Sequence, residues 1–443
     1  MIIPTETDSL PSLPVPPVER WLAPVTRFLR IEAASGIVLL ACTAVALALA
    51  NSPAADWFAS VWKTPVSLSL GGITMAGDVG HLIVNDGLMT LFFFVIGLEI
   101  KRELVHGELR DPRKALLPVC AALGGVVAPA AIYLALQWGE PGQRGWAIPM
   151  ATDIAFVVGF LALFGKRVPF GLKIVLLSLA IVDDLVAVLI IAFVFTETIA
   201  WGWLGLAAGA FGIVYVFNRI GVRPISVYVV VGAFIWLAFL ESGVHPTVAG
   251  VLLGLLTPAN AWVGQQTFAD VLTATWKRVT REVSEGRNAP VDVERTQFAA
   301  REAVSPLHRL EHGLHPWVAF LIMPVFALAN AGVALSVSAL GDSVAVAVAV
   351  GLAVGKPVGI LLMCLIAVRS RVTSLPNGVT WHMLAGGACL AGIGFTMALF
   401  INGLAFPVAD FAAKETAGKL GTLSGSLVSA VVGAGVLWSA LRR

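Results

Sequence analysis

Long apolar runs are the feature that most constrains this chain. They recur along nearly the whole sequence, and hydrophobic residues make up 58% of it while charged residues make up only 13%. A bilayer core roughly 30 Å thick needs about 20 consecutive apolar residues to be spanned by a helix. An ordinary soluble composition is therefore excluded. We expect an all-α polytopic membrane protein.

Reading the apolar runs between charge clusters predicts about twelve transmembrane helices, near residues 32–51, 81–104, 115–137, 146–165, 171–196, 201–218, 224–241, 243–257, 313–334, 343–368, 380–405 and 422–441. Residues 1–19 are polar and proline-rich, which predicts a disordered cytoplasmic tail. Residues 20–443 are expected to form one membrane domain. Its long polar segment, 257–312, is predicted to be an amphipathic connector at the membrane surface.

Basic residues indicate the orientation. With twelve spans, 24 of the 29 lysines and arginines fall on the side that carries both termini, and four fall on the other side. Because basic residues mark the cytoplasmic face, both termini are predicted to be inside the cell. The net charge of +2 gives no indication of a nucleic-acid partner.

Four ionisable side chains lie in the middle of apolar spans: Asp153, Asp183, Asp184 and Lys356. Each costs about 2.5–3.5 kcal/mol at the centre of a membrane helix on insertion scales. They must therefore be hydrated, paired or bound to ions, and a functional site is the default interpretation. Three carboxylates against one ammonium favour cations or protons over anions.

Asp183 and Asp184 are adjacent near the centre of the fifth predicted span. Neighbouring helix positions point about 100° apart, so one carboxylate can face a cavity while the other faces a helix. A purely structural role as helix–helix contacts is the alternative. Two adjacent carboxylates suit that role poorly, because they repel each other when both are ionised.

Pro149, Thr152 and Asp153 predict that the fourth span is broken at mid-depth and restarted. Proline removes a backbone donor, and threonine and aspartate are both good helix N-caps. Asp153 could serve as a cap alone, or as a cap with a transport role.

A second break is predicted in the eleventh span, at Gly386, Gly387, Gly392 and Gly394, with Thr396 following. Interrupted spans at corresponding positions of two halves are typical of a site between inverted-topology repeats.

Lys356 lies too far from either end of its span to reach water easily. It is expected to pair with an aspartate or to lie in a wet cavity, and a purely structural pairing stays open. Oxygen ligands from aspartate, threonine and backbone suit a hard cation, and no thiolate or histidine cluster indicates a transition metal. We therefore expect no resident cofactor.

Six motifs resemble those of the NhaA family of Na⁺/H⁺ antiporters and occur in the family's order. They are Phe94-Val-Ile-Gly-Leu-Glu-Ile-Lys-Arg-Glu103, Ala151-Thr-Asp-Ile-Ala-Phe156, Val182-Asp-Asp-Leu185, Gly243-Val-His-Pro-Thr-Val-Ala-Gly250, Leu310-Glu-His-Gly-Leu-His-Pro-Trp317 and Gly355-Lys-Pro-Val-Gly359. Each motif is weak alone, but the ordered set is specific. The resemblance implies a fold with inverted repeats and two interrupted, crossing helices. This family is itself an example behind the inverted-repeat rule, so that agreement is not independent.

The resemblance implies roles for the membrane charges. Asp184 would be the principal carboxylate for Na⁺, and Asp183 would bind the ion or pair with Lys356. Thr152 and Asp153 would stand where the interrupted helices cross and would compensate the half-helix dipoles.

The resemblance also implies a cytoplasmic pH-sensing region formed by Glu99, Glu103, Glu311, His312 and His315. The first two acids share a helix face at i, i+4, as do Glu311 and His315. Histidine titrates in the physiological range, so such a cluster could gate access. An ordinary charged helix end is the alternative for each residue.

His245 starts the eighth span toward the outer face. It could sense pH there or mark the interface.

The activity that the resemblance implies is electrogenic, pH-regulated exchange of cytoplasmic Na⁺ or Li⁺ for external H⁺ at the inner membrane of a bacterium. The two ions would compete for the same carboxylates under alternating access. Segment 65–75 is predicted to be an external β-hairpin that turns at its Gly-Gly pair, and we take a homodimer contact there as a hypothesis.

Three other classes of protein fit the sequence less well. An intramembrane aspartyl protease needs a Gly-x-Gly-Asp motif, and the nearest matches, ending at Asp78 and Asp342, have Met75 and Ala339 at the first glycine. A cation channel would show a repeated pore loop. A transporter of an organic solute should have more aromatic and hydrogen-bonding residues at mid-depth. None of these classes explains the ordered motifs, and a transporter rather than an enzyme is expected.

Overall fold

The computed structural model describes residues 32–70, 73–196, 198–222, 224–285, 293–407 and 411–442. The predicted tail, residues 1–19, lies outside these ranges. The described chain is nearly all helical, as predicted.

The membrane helices begin with α1 (Glu32–Ala50) and α2 (Ala55–Trp62), which meet at a bend of 119°. A π-helical segment of ten residues, Val79–Leu88, leads directly into α3 (Met89–Val105). The next helices in chain order are α4 (Pro112–Leu136), α5 (Ile154–Phe164), α6 (Phe170–Val194), α7 (Trp201–Ile220), α8 (Ile225–Ser242) and α9 (Thr247–Leu256). A tight helical segment, Pro141–Met150, precedes α5.

The second half of the chain continues with α10 (Gln265–Ser284), α11 (Val293–Glu302), α12 (Pro306–Trp317), α13 (Met323–Asn330), α14 (Val337–Leu340), α15 (Ser343–Val350), α16 (Lys356–Arg369), α17 (Trp381–Ala391), α18 (Phe395–Ala405) and α19 (Ala412–Leu441). Wide turns at Val318–Ile322 and Gly351–Gly355 join α12 to α13 and α15 to α16 without interrupting the span.

Among the described residues, nine continuous helical segments are long and apolar enough to cross a membrane, and two bent helix pairs raise the number to eleven. Helix α9 is a shorter apolar helix of ten residues. These segments correspond one by one to the predicted spans. The expected polytopic helical fold is therefore confirmed.

The predicted hairpin is an antiparallel strand pair, β1 (Pro65–Leu70) and β2 (Ile73–Asp78). Its register pairs Pro65 with Asp78, so the second strand runs three residues beyond the predicted end. The Gly-Gly turn itself lies outside the described residues.

The predicted connector holds the helical pair α10 and α11, which contact each other through the Thr275 and Thr296 hydroxyls at 3.2 Å. The amides of Trp262 and Val263 donate to the carbonyl of Glu302 at 3.1 and 3.0 Å, which ties the two ends of the connector together. Trp276 on α10 is 71% exposed. Its placement at a membrane surface stays a prediction.

Helices α4 and α16 meet glycine to glycine, and this contact positions the site. A Cβ on Gly124 would lie 2.1 Å from the Gly359 carbonyl oxygen, and a Cβ on Gly359 would lie 2.1 Å from that of Gly124. Real Cβ atoms do not approach so closely, and small residues allow membrane helices to bring their backbones together. The first residue of α16, Lys356, is thereby brought into the interior.

Candidate functional site

The two predicted helix breaks lie against each other. The chain is extended at Ala151 and Asp153, between the tight turns that end at Met150 and α5. The second break separates α17 from α18, which bend by 43°. The Asp153 amide donates to the Ile393 carbonyl at 2.7 Å, across the two breaks. Both interruptions therefore satisfy part of their backbone within protein, as a broken membrane helix must.

Asp153 joins the N-termini of both half-helices. Its Oδ1 accepts the Phe156 amide of α5 at 3.3 Å, as an N-cap does, and its Oδ2 accepts the Thr396 amide of α18 at 3.1 Å. The Thr396 hydroxyl also donates to Oδ2. A carboxylate is favoured here because each helix N-terminus carries a partial positive charge. The predicted capping role is seen in this geometry, whereas a transport role for Asp153 stays a proposal.

Gly394 permits the close crossing. A Cβ at this position would lie 2.9 Å from the Ala151 carbonyl oxygen, closer than a real contact allows. The glycine pattern that predicted a break therefore has a steric cause as well as a conformational one.

Asp183 is held by two side chains from different elements. The Lys356 ammonium lies 2.7 Å from its Oδ2, and neither side chain is exposed. The Thr152 hydroxyl lies 2.6 Å from the same oxygen and 3.0 Å from the Ala391 carbonyl. Lys356 also donates to the Met150 carbonyl, an orphan acceptor at the broken turn. The predicted pairing of Lys356 with an aspartate is present.

Asp184 is as deeply buried as its neighbour but is not held in the same way. Both residues are 2% exposed. Within the described chain, Asp184 Oδ1 and Asp183 Oδ1 have no hydrogen-bond partner. Buried acceptors are nearly always satisfied in proteins, so two unsatisfied carboxylate oxygens on adjacent residues require a proton, a water or an ion.

The charges and donors of the site suit a small cation. Asp153, Asp183, Asp184 and Lys356 carry a formal net charge of −2 when all are ionised. The oxygen atoms of carboxylate, hydroxyl and carbonyl groups are the ligands that hard cations prefer. In the part of the chain that the structure describes, no group of three or more His, Cys, Asp or Glu side chains is arranged to hold a metal ion.

A separate cluster joins α3 to α12. Arg102 pairs with Glu311, and its other terminal nitrogen lies 3.6 Å from Glu103. Glu103 also accepts the Glu108 amide at 3.2 Å. Three of the predicted regulatory residues therefore lie on the two helices that Arg102 joins: Glu99 and Glu103 on α3, and Glu311 on α12.

The predicted regulatory histidines of α12 are exposed, whereas Glu311 on the same helix is buried. The His312 ring stacks on His308, with ring centres 6.5 Å apart, and both are exposed. His315 is also exposed.

His245 lies in the connection between α8 and α9, where Asp86 faces it. Its Nδ1 accepts the Thr247 amide at 3.4 Å, so we assign the proton of the neutral ring to Nε2, which lies 3.6 Å from Asp86 Oδ1. Burial, and to a lesser degree the nearby His81, lowers the pKa of His245 from 6.5 to about 3. The ring is therefore neutral at physiological pH in this conformation.

Several residues of these sites escaped the sequence reasoning. Asp86 is 4% exposed, and its position near the start of a predicted span hid it among boundary charges. Thr396 was expected only to follow the glycines, because its contact with Asp153 joins segments that are distant in sequence. Arg102 was read as part of a motif. Ser426, whose hydroxyl accepts the Gly394 and Phe395 amides, had no local signal, because these contacts join residues that are distant in sequence.

Comparison with known proteins gives matches over nearly the whole chain. The family model described as Na⁺/H⁺ antiporter 1 matches residues 26–437. The Na⁺/H⁺ antiporter NhaA of Rhodopirellula baltica is 51% identical over 426 residues, which are 96% of this chain and 96% of that protein. Na⁺/H⁺ antiporter NhaA 2 of Acidiphilium cryptum is 48% identical over 97% of this chain and 95% of its own length.

The NhaA of Rhizobium meliloti is likewise 48% identical, over 96% of this chain and 97% of that protein. These relatives are named as transporters, which agrees with the prediction that the chain is not an enzyme. The resemblance drawn from six short motifs is confirmed by similarity along the full length. The chain is a multi-pass membrane protein that belongs to the NhaA family of Na⁺/H⁺ antiporters.

Proposed function

We propose that this protein exchanges cytoplasmic Na⁺, or Li⁺, for external H⁺ by competition of the two ions for Asp184 and Asp183. The observation that carries the proposal is the pair of buried oxygens, Asp184 Oδ1 and Asp183 Oδ1, without a hydrogen-bond partner in the described chain. A cation satisfies them in one state and protons satisfy them in the other. Because one site serves both ions, the two fluxes are coupled without a nucleotide.

Each neighbour has its own part in this mechanism. Asp184 is the principal cation ligand. Asp183 either binds the ion through its Oδ1 or stays paired with the Lys356 ammonium, which already lies against its Oδ2. Thr152 orients Asp183, and Asp153 fixes the two half-helices whose ends surround the site.

Access to the site requires a path from each side of the membrane. A cleft of about 320 Å³ lies between α5 and α6. Phe170 and Lys173 line it near the start of α6, and Ala180 and Ile154 line it next to the site residues. We assign the cleft to the cytoplasmic path, with alternating access closing it when the outer path opens.

The exchange is electrogenic, with more protons entering than sodium ions leaving. Asp183, Asp184 and Lys356 together carry a formal charge of −1 when all are ionised, which one Na⁺ neutralises, whereas the two carboxylates can take up two protons. A membrane potential then drives export, at about 2.3 kcal/mol per elementary charge per 100 mV. In proteoliposomes, an inside-positive and an inside-negative potassium diffusion potential should change the rate in opposite directions. Equal rates would contradict electrogenic exchange.

The site of pH regulation is the cluster of Glu99, Glu103, Glu311, His312 and His315, with His245 at the outer side. Arg102 links α3 to α12 through Glu311 and has 34% of its side chain exposed, so dissolved salt can screen this pair. Replacing it with Gln should shift the pH at which activity rises, whereas Lys114→Gln, which breaks an exposed pair with Glu108, should not.

We place the protein in the lipid bilayer of the bacterial cytoplasmic membrane, with both termini inside the cell. A homodimer through the β1–β2 hairpin is part of the proposal, and deletion of residues 65–75 should abolish cross-linking of dimers in membranes. Unchanged cross-linking would rule the hairpin out as the dimer contact.

The central experiment measures Na⁺-induced dissipation of a pH gradient in everted vesicles from mildly acidic to alkaline pH. Wild-type protein should respond to Na⁺ and Li⁺, and Asp184→Asn should not respond. Asp342→Asn is the matched control, because Asp342 caps α15 and pairs with Lys414 outside the site. Equal activity of Asp184→Asn and wild type would refute the site, and a wild type without any Na⁺ response would favour an organic solute.

A further inference from the structure

Helix α18 starts inside the protein and must satisfy several backbone donors there. The first turn of any helix leaves amides without intrahelical partners, and at bilayer depth no water is available to accept them. Asp153 accepts the Thr396 amide at 3.1 Å. One carboxylate oxygen does not account for the two amides that precede Thr396.

Those two amides point to a third helix. The Ser426 hydroxyl oxygen on α19 lies 3.3 Å from the Gly394 nitrogen and 3.2 Å from the Phe395 nitrogen, and it accepts from both. Ser426 is 6% exposed. Serine oxygen is a strong N-cap acceptor, and here it is supplied from a residue more than thirty positions away.

Ser426 is one of three buried hydroxyls along one face of α19. Thr422 and Ser429 are 0% and 1% exposed, one turn before and one turn after it. Within the described chain, neither of those two oxygens has a hydrogen-bond partner. Ser426 accepts two amides of the break, and Ser429 Oγ lies beside Gly392 within it, whereas Thr422 lies one turn away and is the matched control.

We propose that Ser426 is a positioning residue for ion exchange, which holds the start of α18 so that Asp153 and the crossing keep the geometry of the cation site. The backbone amides at this N-terminus have two acceptors: the Asp153 carboxylate accepts one amide, and the Ser426 hydroxyl accepts two. Without the hydroxyl, the two amides compete for Asp153, and the crossing moves away from Thr152 and Asp183.

This inference rests on the proposed Na⁺/H⁺ exchange. The test compares Ser426→Ala, Ser426→Thr and Thr422→Val in proteoliposomes, with the apparent Na⁺ affinity and the maximal rate measured across pH. Loss of a cap residue changes an equilibrium by about fivefold. Ser426→Ala should therefore raise the apparent Michaelis constant for Na⁺ about fivefold and shift the pH profile. Ser426→Thr keeps the acceptor and should stay within about twofold of wild type, as should Thr422→Val.

A merely structural role would instead lower the amount of folded protein and the maximal rate while the Na⁺ affinity and pH profile stay unchanged. If Ser426→Ala is absent from the membrane, Ser426→Cys replaces it, since sulfur is a similar-sized but weaker acceptor, and its affinity should fall between those of wild type and a full loss. An active wild type with unchanged Na⁺ affinity in these variants overturns the role of Ser426. An inactive wild type refutes the proposed function instead.

Discussion

Lys356 Nζ lies 2.7 Å from Asp183 Oδ2, with neither side chain exposed to solvent. Its neighbour Asp184, one position along the same helix, keeps an oxygen without any partner in the described chain. The two aspartates therefore differ in their surroundings and not in their chemistry. One is neutralised by a lysine of this chain, and the other is left for an ion or a proton.

Replacing Lys356 with Gln should strongly destabilise the protein. The change leaves Asp183 buried without a counter-charge, and breaking one partner of a buried pair costs about 3–5 kcal/mol. Thermal unfolding of the detergent-purified protein would show this as a lower midpoint. The double variant Asp183→Asn, Lys356→Gln should recover part of the loss, and Lys414→Gln, from a pair with 27% of each side chain exposed, should change little. A single variant as stable as wild type would contradict this view.

Replacing Thr152 with Val should weaken Na⁺ binding while keeping the shape of the side chain. The hydroxyl that lies 2.6 Å from Asp183 Oδ2 is lost, and hydrogen bonds to charged groups contribute about 1.5–3 kcal/mol. We expect an apparent Na⁺ affinity weaker by about tenfold or more, measured as Na⁺-dependent proton release in proteoliposomes. Thr152→Ser keeps the hydroxyl and should remain near wild type. The expectation is wrong if both variants behave alike.

Replacing Gly124 with Ala should destabilise the α4–α16 contact that positions Lys356. The added Cβ would lie 2.1 Å from the Gly359 carbonyl oxygen, so the helices must separate. Overpacking of this kind costs about 1–3 kcal/mol. Gly209→Ala on α7 is the control, because its Cβ meets nothing within 4 Å. The thermal unfolding midpoints of the two variants are compared. Equal midpoints would show that the α4–α16 contact can widen without loss of stability.

Acid should loosen the contact between His245 and Asp86. Burial lowers the pKa of His245 from 6.5 to about 3, so a conformation that exposes the ring binds more protons between these two values. The contribution of His245 to the stability of the buried conformation is therefore complete above pH 6.5 and falls as the pH is lowered below it. Hydrogen exchange in segment 243–256, corrected for the intrinsic rate, should rise from pH 7.5 to pH 5.5.

His245→Gln cannot titrate and should abolish that rise. His106→Gln, at the other end of α3, should leave it unchanged. A rise of the same size in His245→Gln would mean that another group near the outer face controls the opening.

Much of the architecture was predictable because single stretches of sequence carry its physics. Apolar runs of membrane length predicted the spans, and Pro149 with its following Thr-Asp predicted a break that the structure confirms. Glycines predicted the second break near Gly392 and Gly394. In each case the residues that decide the break lie close together in the sequence. Proline lacks a backbone donor and glycine lacks a side chain, so each weakens a helix at its own position.

The contacts of the site were less predictable. A carboxylate in an apolar span signals a site but not its partner, so Asp86 and His245 were never paired in advance. Ser426 gave no signal at all, because serine in a membrane helix is common and its two amide donors belong to a different helix.

By itself, the sequence determined that this chain is a membrane transporter of the NhaA family with acids and a lysine at bilayer depth. The length of the apolar runs and the cost of burying charge suffice for the spans and for a site, and the six ordered motifs supply the family. Only the tertiary structure decided which aspartate Lys356 neutralises, because Asp183 and Asp184 are chemically identical neighbours on α6. The choice depends on where the α4–α16 contact brings the ammonium and where the crossing brings Thr152, and both positions are set by packing between distant segments.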